Sequence, residues 1–419
     1  MNTTNRSALP FRDLLDRYAA CLLDLGVALE KGQHLLVSAL TVHRDLALAV
    51  AEAAYRRGAS FVNVLYQDEL LNRTQLALGD ERSVAFLSKS VVAAYEETIE
   101  RRGAFLSFSG REDLNAFRGI DPERQSRSLL SRLEQLDFFY QNIYTNRIAW
   151  CVAAGAAPGT AAAAFPGLPA DQALAALWDK IFSVCRVYEE DPPAAWRAHA
   201  KNLERRKLRL DELRLRKLRF ESPTCDLTLR LSERACWKGG FSRTPEGRRF
   251  LANIPTEEVF TVPDCRSLEG RFKATRPLSY KNIYAPDLTL AFRDGRLVSV
   301  EGGPGVKELE EILGSDPAHG RAGEIALVAA DSAVARTGLV FHDLLYDENA
   351  ACHLALGSGY AECLEGAGEM SPAEREAAGF NTASLHVDIM FGSDRLRVSG
   401  ADVRGKTWEI MREGRFVLE

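Results

Sequence analysis

Residues 32–66, GQHLLVSALTVHRDLALAVAEAAYRRGASFVNVLY, decide the fold of the first half of the chain. The apolar run at 35–40 follows Gly32 and reads as a short strand. Over 45–57, Leu46, Val50, Ala53 and Ala54 recur at helical spacing and stop at Gly58. Strand character returns at 61–66. The same rhythm continues with a helix expected over 84–102, a third strand at 104–108 and a fourth at 148–153. Asp121-Pro122 reads as an N-cap followed by proline in the first helical position. This alternation predicts an α/β domain with a mostly parallel sheet covered by helices.

Further along, 155–169 (GAAPGTAAAAFPGLP) reads as a Gly/Ala/Pro loop, followed by a helix at about 170–187. Asp191-Pro192 opens another helix that runs into a basic stretch over 201–219. That stretch holds nine Lys/Arg against three acids, with Leu203, Leu210 and Leu213 interleaved. It reads as a solvated bridging helix with an apolar stripe. After Pro223 the pattern changes. Asp226 opens a clean period-two segment, DLTLRL. Asp294-Gly295 separates two apolar runs as a hairpin turn, and a second hairpin is expected near Gly414. The second half therefore reads as mixed α+β. The expected division is an N-terminal α/β domain, 1–220, and a C-terminal catalytic domain, 221–419.

The chain has 419 residues, enough for two domains with separate cores. A formal net charge of −5 supplies no positive field for nucleic acid. The N-terminus is too polar for a secretory signal, and no apolar run reaches the length of a membrane span. The eight cysteines are scattered without a Cys-x-x-Cys pair, which suits reduced thiols in a cytoplasmic protein. There is no His-Glu-x-x-His helix, Walker loop or Gly-x-Ser-x-Gly elbow. Gly302-Gly303-Pro304-Gly305 lacks the Lys-Ser/Thr ending of a phosphate cradle, and Pro304 removes an amide.

Four segments carry the candidate chemistry. In SLHVDIMF, His386 and Asp388 lie two residues apart in a stretch of strand character, so both project to one face. In DENAACHLALGSGY, 347–360, Asp347 or Asn349 is suited to cap a helix over 350–356. If that helix persisted, His353 and Tyr360 would lie two turns apart on one face; Gly357 and Gly359 oppose it. Glu324 stands at the entry to the apolar segment IALV and must be solvated, paired or metal-bound. Glu257 and Glu258 are adjacent acids in NIPTEEVFT, 253–261.

Together these phrases resemble the aminopeptidase T/aminopeptidase S family of thermophilic-type metallopeptidases. AGEIALV at 322–328 and NTASLHVDIMFGS at 381–393 complete the match. Looser similarity runs through KGQHLLV at 31–37, the Trp-Asp-x-Ile-Phe segment at Trp178, and DPPAAW at 191–196. The resemblance implies that Glu258, Glu324, His353, His386 and Asp388 are metal ligands and that Tyr360 is an active-site residue. Two departures touch no ligand: 157–165 lacks a tryptophan before Phe165-Pro166, and Ile389 stands where an aromatic is usual.

Five carboxylate-rich ligands are too many for one catalytic zinc, so a pair of divalent ions is expected. Zinc, cobalt and manganese suit such ligands alike, and either Glu258 or Glu324 could bridge. A general base is also needed. Glu348 and Glu257 are the candidates, with Glu348 preferred because Glu257 and Glu258 point to opposite sides if extended. Tyr360 is suited to donate to the oxyanion. The expected activity is a metal-dependent aminopeptidase acting on short peptides with a free N-terminus. A hydrolase of small non-peptide amides and a silent metal-binding homologue are the competing readings. The resemblance further implies a homodimer with its active sites facing an enclosed space.

Overall fold

The first sheet is built as the alternation predicts. In the computed structural model, which describes residues 9–280 and 283–418, four strands run parallel: β1 (His34–Leu40), β2 (Phe61–Gln67), β3 (Ala104–Ser109) and β4 (Trp150–Ala154). The first eight residues of the polar N-terminal segment lie outside the described residues. A fifth short strand, β5 (Asn253–Ile254), arrives from the second half and pairs parallel to β4, giving the order β2-β1-β3-β4-β5. The chain moves outward from β1 to β2 and then returns to the other side of β1 with β3. That reversal opens a crevice at the carboxyl ends of the strands.

The helices between these strands differ from expectation in three places. The helix expected over 84–102 occupies Lys89–Glu100, where Ser88 caps it and a separate short helix ends at Val84. The stretch expected to be a loop at 155–169 contains a helix, Pro158–Ala164, because Pro158 sits in its first turn and four alanines follow. The basic stretch does not stay helical to 219. Two further helices matter below: α1 (Asp137–Tyr144) and α2 (Pro192–Leu213). α2 stops where Arg214 takes a left-handed backbone, and Leu215–Ser222 continues as a strand. Leu218 and Phe220 are buried on either side of exposed Arg219, a period of two inside a segment that composition alone marks as helix. The expected division near residue 220 falls inside this strand.

Two antiparallel sheets in the second half share one core, and two small two-stranded pairs accompany them. The larger has eight strands, among them Leu215–Ser222, Cys225–Arg230 and Leu288–Arg293. Asp294 and Gly295 both have positive φ (50° and 70°), the backbone that a two-residue hairpin turn demands. Glu413-Gly414 (51° and 67°) makes the second expected hairpin. The smaller sheet has the order β6-β7-β8-β9: β6 (Glu258–Thr261), β7 (Ala322–Val328), β8 (His353–Gly357) and β9 (His386–Met390).

Phe391 lies at the centre of the shared core, fully buried, with its ring 5.3 Å from Phe220 and 5.2 Å from Phe272. Phe391→Ala removes a side chain that joins the two sheets. Its expected cost is about 3–5 kcal/mol of stability, read as a lower urea midpoint at unchanged slope.

Candidate metal centre

Four short sequences, EVFT, EIALV, HLALG and HVDIM, build the small sheet, and the last three alternate polar or small residues with buried aliphatic ones. Val259, Ile325, Leu327, Leu354, Leu356, Val387 and Ile389 point to the shared core. The other face is left to Glu258, Glu324, His353, His386 and Asp388. Register completes the arrangement: Glu324 and Asp388 both lie opposite Ala355, His353 lies opposite Ala326, and His386 opposite Gly357. Small side chains between the ligands leave room above the sheet.

The segment over 350–356 is therefore no helix. His353 opens β8, and the alternation His-Leu-Ala-Leu-Gly is the signal that the helical expectation passed over. Tyr360 follows the end of β8 rather than lying two turns along a helix, yet it reaches the same site. Its ring lies 4.9 Å from that of His386.

The five side chains converge. His353 Nε2 is 3.2 Å from Glu258 Oε2, 3.8 Å from Glu324 Oε1 and 3.8 Å from Asp388 Oδ1. His386 Nε2 is 3.5 Å from Glu324 Oε2 and 3.3 Å from Asp388 Oδ1. Both imidazoles are aimed by the backbone. His353 Nδ1–H donates to the carbonyls of Glu348 and Ala351, each at 3.1 Å, and His386 Nδ1–H donates to Ser358 O at 2.7 Å. A carbonyl can only accept, so Nε2 is the free ligand atom in both rings.

Electrostatics shows what this geometry lacks. Burial, then the charges of Glu258 and Asp388, push Glu324 well above the usual carboxylate range. Burial lowers the His353 pKa, but the adjoining Glu258 carboxylate and the charge of Asp388 outweigh it and carry the ring up to about 9. Glu258 Oε2 and Glu324 Oε2 are buried oxygens without a hydrogen-bond partner among the described residues. Buried, unsatisfied and mutually repelling carboxylates beside two pre-aimed imidazoles are the donor set of divalent cations. The ligand atoms form two compact groups, Glu258–Glu324–His353 and Glu324–His386–Asp388, each with its atoms within 4.8 Å of one another. Glu324 belongs to both.

Comparisons with known proteins place the chain in a metal-dependent family. A model of the thermophilic metalloprotease (M29) family matches residues 11–416. The chain belongs to the M29 family. It is a metal-dependent aminopeptidase, a hydrolase that uses divalent metal. It is 39% identical to aminopeptidase T of Thermus aquaticus over 419 residues, covering 97% of this chain and 99% of that one. Aminopeptidase AmpS of Bacillus subtilis is 34% identical at the same coverage of each. The solved structure of wild-type AmpT from Thermus thermophilus superposes with a TM-score of 0.88 at 36% identity, covering 97% of this chain and all of that chain.

The two candidate bases in this M29 chain have different surroundings. Glu348 ends α3 (Leu344–Glu348) and lines a cavity of about 760 Å³ together with Tyr360, His386 and Asp388. Its Oε1 accepts from Asn253 Nδ2 at 3.0 Å and from Asn349 Nδ2 at 3.4 Å. Burial, then Asp388, Glu258 and Glu324, hold its carboxyl well above the usual range. Glu257 faces away from the cavity. Its Oε1 accepts from Arg186 at 2.8 Å, its Oε2 lies 3.6 Å from His199 Nε2, and its backbone N–H donates to Asn349 Oδ1 at 2.7 Å.

Sequence reasoning passed over the residues that hold Glu348 in place. Asn253 stands in the quoted phrase NIPTEEVFT without a role. Arg276 gives no signal at all. It donates to Asp347 Oδ1 at 2.8 Å, and Asp347 in turn accepts from the backbone of Phe341 and Asp343. This fixes the loop before α3, while Leu345 and Tyr346 root the helix in the core of the first sheet. Glu324→Gln, at the residue common to both ligand groups, is expected to cut bound metal per chain after dialysis more deeply than Glu258→Gln. Elemental analysis of the two variants checks this.

Proposed function

We propose that the chain binds two divalent cations, one in each ligand group, with Glu324 bridging, and that it removes N-terminal residues from short peptides. The single observation that carries this reading is the sharing of Glu324 between two adjoining sets of pre-aimed ligands above one sheet. Zinc, cobalt and manganese all suit imidazole and carboxylate donors. When bound, such a pair supplies Lewis acidity, acidifying a water and polarising a carbonyl.

The remaining work falls to the protein. Glu348 takes the proton of the attacking water and returns it to the departing amine. Both of its hydrogen bonds among the described residues fall on Oε1, leaving Oε2 for that proton. Glu257, already engaged by Arg186, is assigned a structural role. Tyr360 donates a hydrogen bond to the oxyanion of the tetrahedral adduct, its phenol kept protonated by burial and by Glu324. Acidic side chains around the cavity favour a substrate that enters by its amine end. The curated relatives carry the name aminopeptidase, which supports the same class of substrate.

We also infer a cytoplasmic enzyme that forms a homodimer. The eight cysteines are all free thiols, as a reducing compartment requires, and no helix among the described residues is long and apolar enough to cross a membrane. Leu70, Leu71 and Leu78 are 60%, 69% and 82% exposed on one helix, apolar surface suited to a second copy.

Chelation is expected to abolish release of N-terminal amino acids from an unblocked tripeptide, and re-addition of zinc, cobalt or manganese to restore it. An N-acetylated tripeptide should resist cleavage throughout; equal cleavage of the blocked peptide would overturn the exopeptidase reading. Glu348→Gln is expected to lower kcat about 10²–10⁴-fold while metal content stays at the wild-type level.

A further inference from the structure

Tyr144 is the last residue of α1 and stands in the wall of the catalytic cavity with Glu348, Tyr360, His386 and Asp388. Its ring meets that of Tyr360 edge to face, with centroids 5.8 Å apart and planes at 69°. On its other side it stacks on Tyr140, one turn back along α1, at 6.4 Å and 26°. Tyr360 is itself held against His386. The Tyr144 ring is thus fixed between two aromatic neighbours, one from each half of the chain.

Packing accounts for the ring but not for the hydroxyl. The Tyr144 hydroxyl has no hydrogen-bond partner among the described residues, in contrast to Tyr18, Tyr188 and Tyr284, whose hydroxyls are all engaged. A phenol hydroxyl that opens into the cavity without a protein partner is left free for a group entering that cavity, a capacity phenylalanine would lack while filling the same space. Burial, then Tyr140 and the charge of Asp388, holds this phenol well above its usual range. It therefore stays neutral and protonated at every working pH and acts as a donor.

The surroundings restrict what it donates to. Glu348 and Asp388 already make the cavity wall acidic, and the amine end of a substrate needs acceptors rather than another donor. The one substrate atom that gains negative charge during hydrolysis is the oxygen of the scissile carbonyl. We propose that Tyr144 is a second catalytic phenol, whose hydroxyl donates a hydrogen bond to that oxyanion and shares its charge with Tyr360. The assignment rests on the reading of this cavity as the peptidase site. It gives the N-terminal half a direct part in the chemistry: a donor carried on α1 faces ligands carried on β8 and β9.

The test compares metal-loaded full-length Tyr144→Phe with wild type. The substitution keeps the ring and its packing. A loss of about 100- to 1000-fold in kcat is expected, with KM within about twofold and metal content unchanged. Affinity for a phosphonic-acid dipeptide analogue, which carries tetrahedral anionic oxygens, is expected to fall by the same factor as kcat/KM. Binding of the product amino acid should not change. An unchanged kcat overturns the proposal, and so does a rise in KM alone or a parallel loss of product binding, since both mark a pocket wall. Wild-type protein that fails to cleave unblocked peptides sinks the peptidase reading itself. Active wild type with an equally active Tyr144→Phe variant sinks only the role of Tyr144.

Discussion

Four buried carboxylates share one small volume: Glu258, Glu324 and Asp388 on the sheet, and Glu348 on α3 facing them. Like charges out of water repel strongly, and each one opposes the ionisation of the others. Bound divalent metal resolves this conflict, and no ordinary packing would. The rest of the molecule is arranged to tolerate it. The small sheet anchors its acids by burying a leucine, isoleucine or valine beside nearly every one of them on the opposite face. Folding energy from one face thus holds the unfavourable charge on the other.

Much of this was legible in the sequence, and the misses have physical reasons. The parallel sheet was readable because the helices after the first two strands carry apolar residues at helical spacing and run out just before Gly58 and Gly103. Period-two alternation announced His386–Asp388 in the same way. His353 was harder. Its neighbours Ala350, Ala351 and Leu354 suit a helix as well as a strand, and intrinsic propensity favours the helix; pairing on both sides with β7 and β9 overrides it. The basic stretch misled for the opposite reason. Its charge drew attention to solvent, while Leu218 and Phe220 were already alternating into the second core.

Long-range partners were not legible. Asn253 on Glu348, Arg276 on Asp347 and Arg186 on Glu257 join residues about 70 to 95 positions apart. Nothing local in the chain marks such pairs. They nonetheless set the two glutamates apart, because Arg186 engages Glu257 and Asn253 meets only one oxygen of Glu348. The site is best described as ligands written in local alternation and oriented by contacts written nowhere in particular.

The helix that ends at Glu348 is rooted through Leu345 and Tyr346 in the first core, whereas the ligand-bearing strands belong to the second. Sliding of one core against the other is opposed at this helix, because the imidazole of His353 donates to the carbonyl of Glu348 and Leu344 packs on the second core. The two halves are thereby latched at the cavity itself, and any displacement of the helix pulls on the imidazole as well.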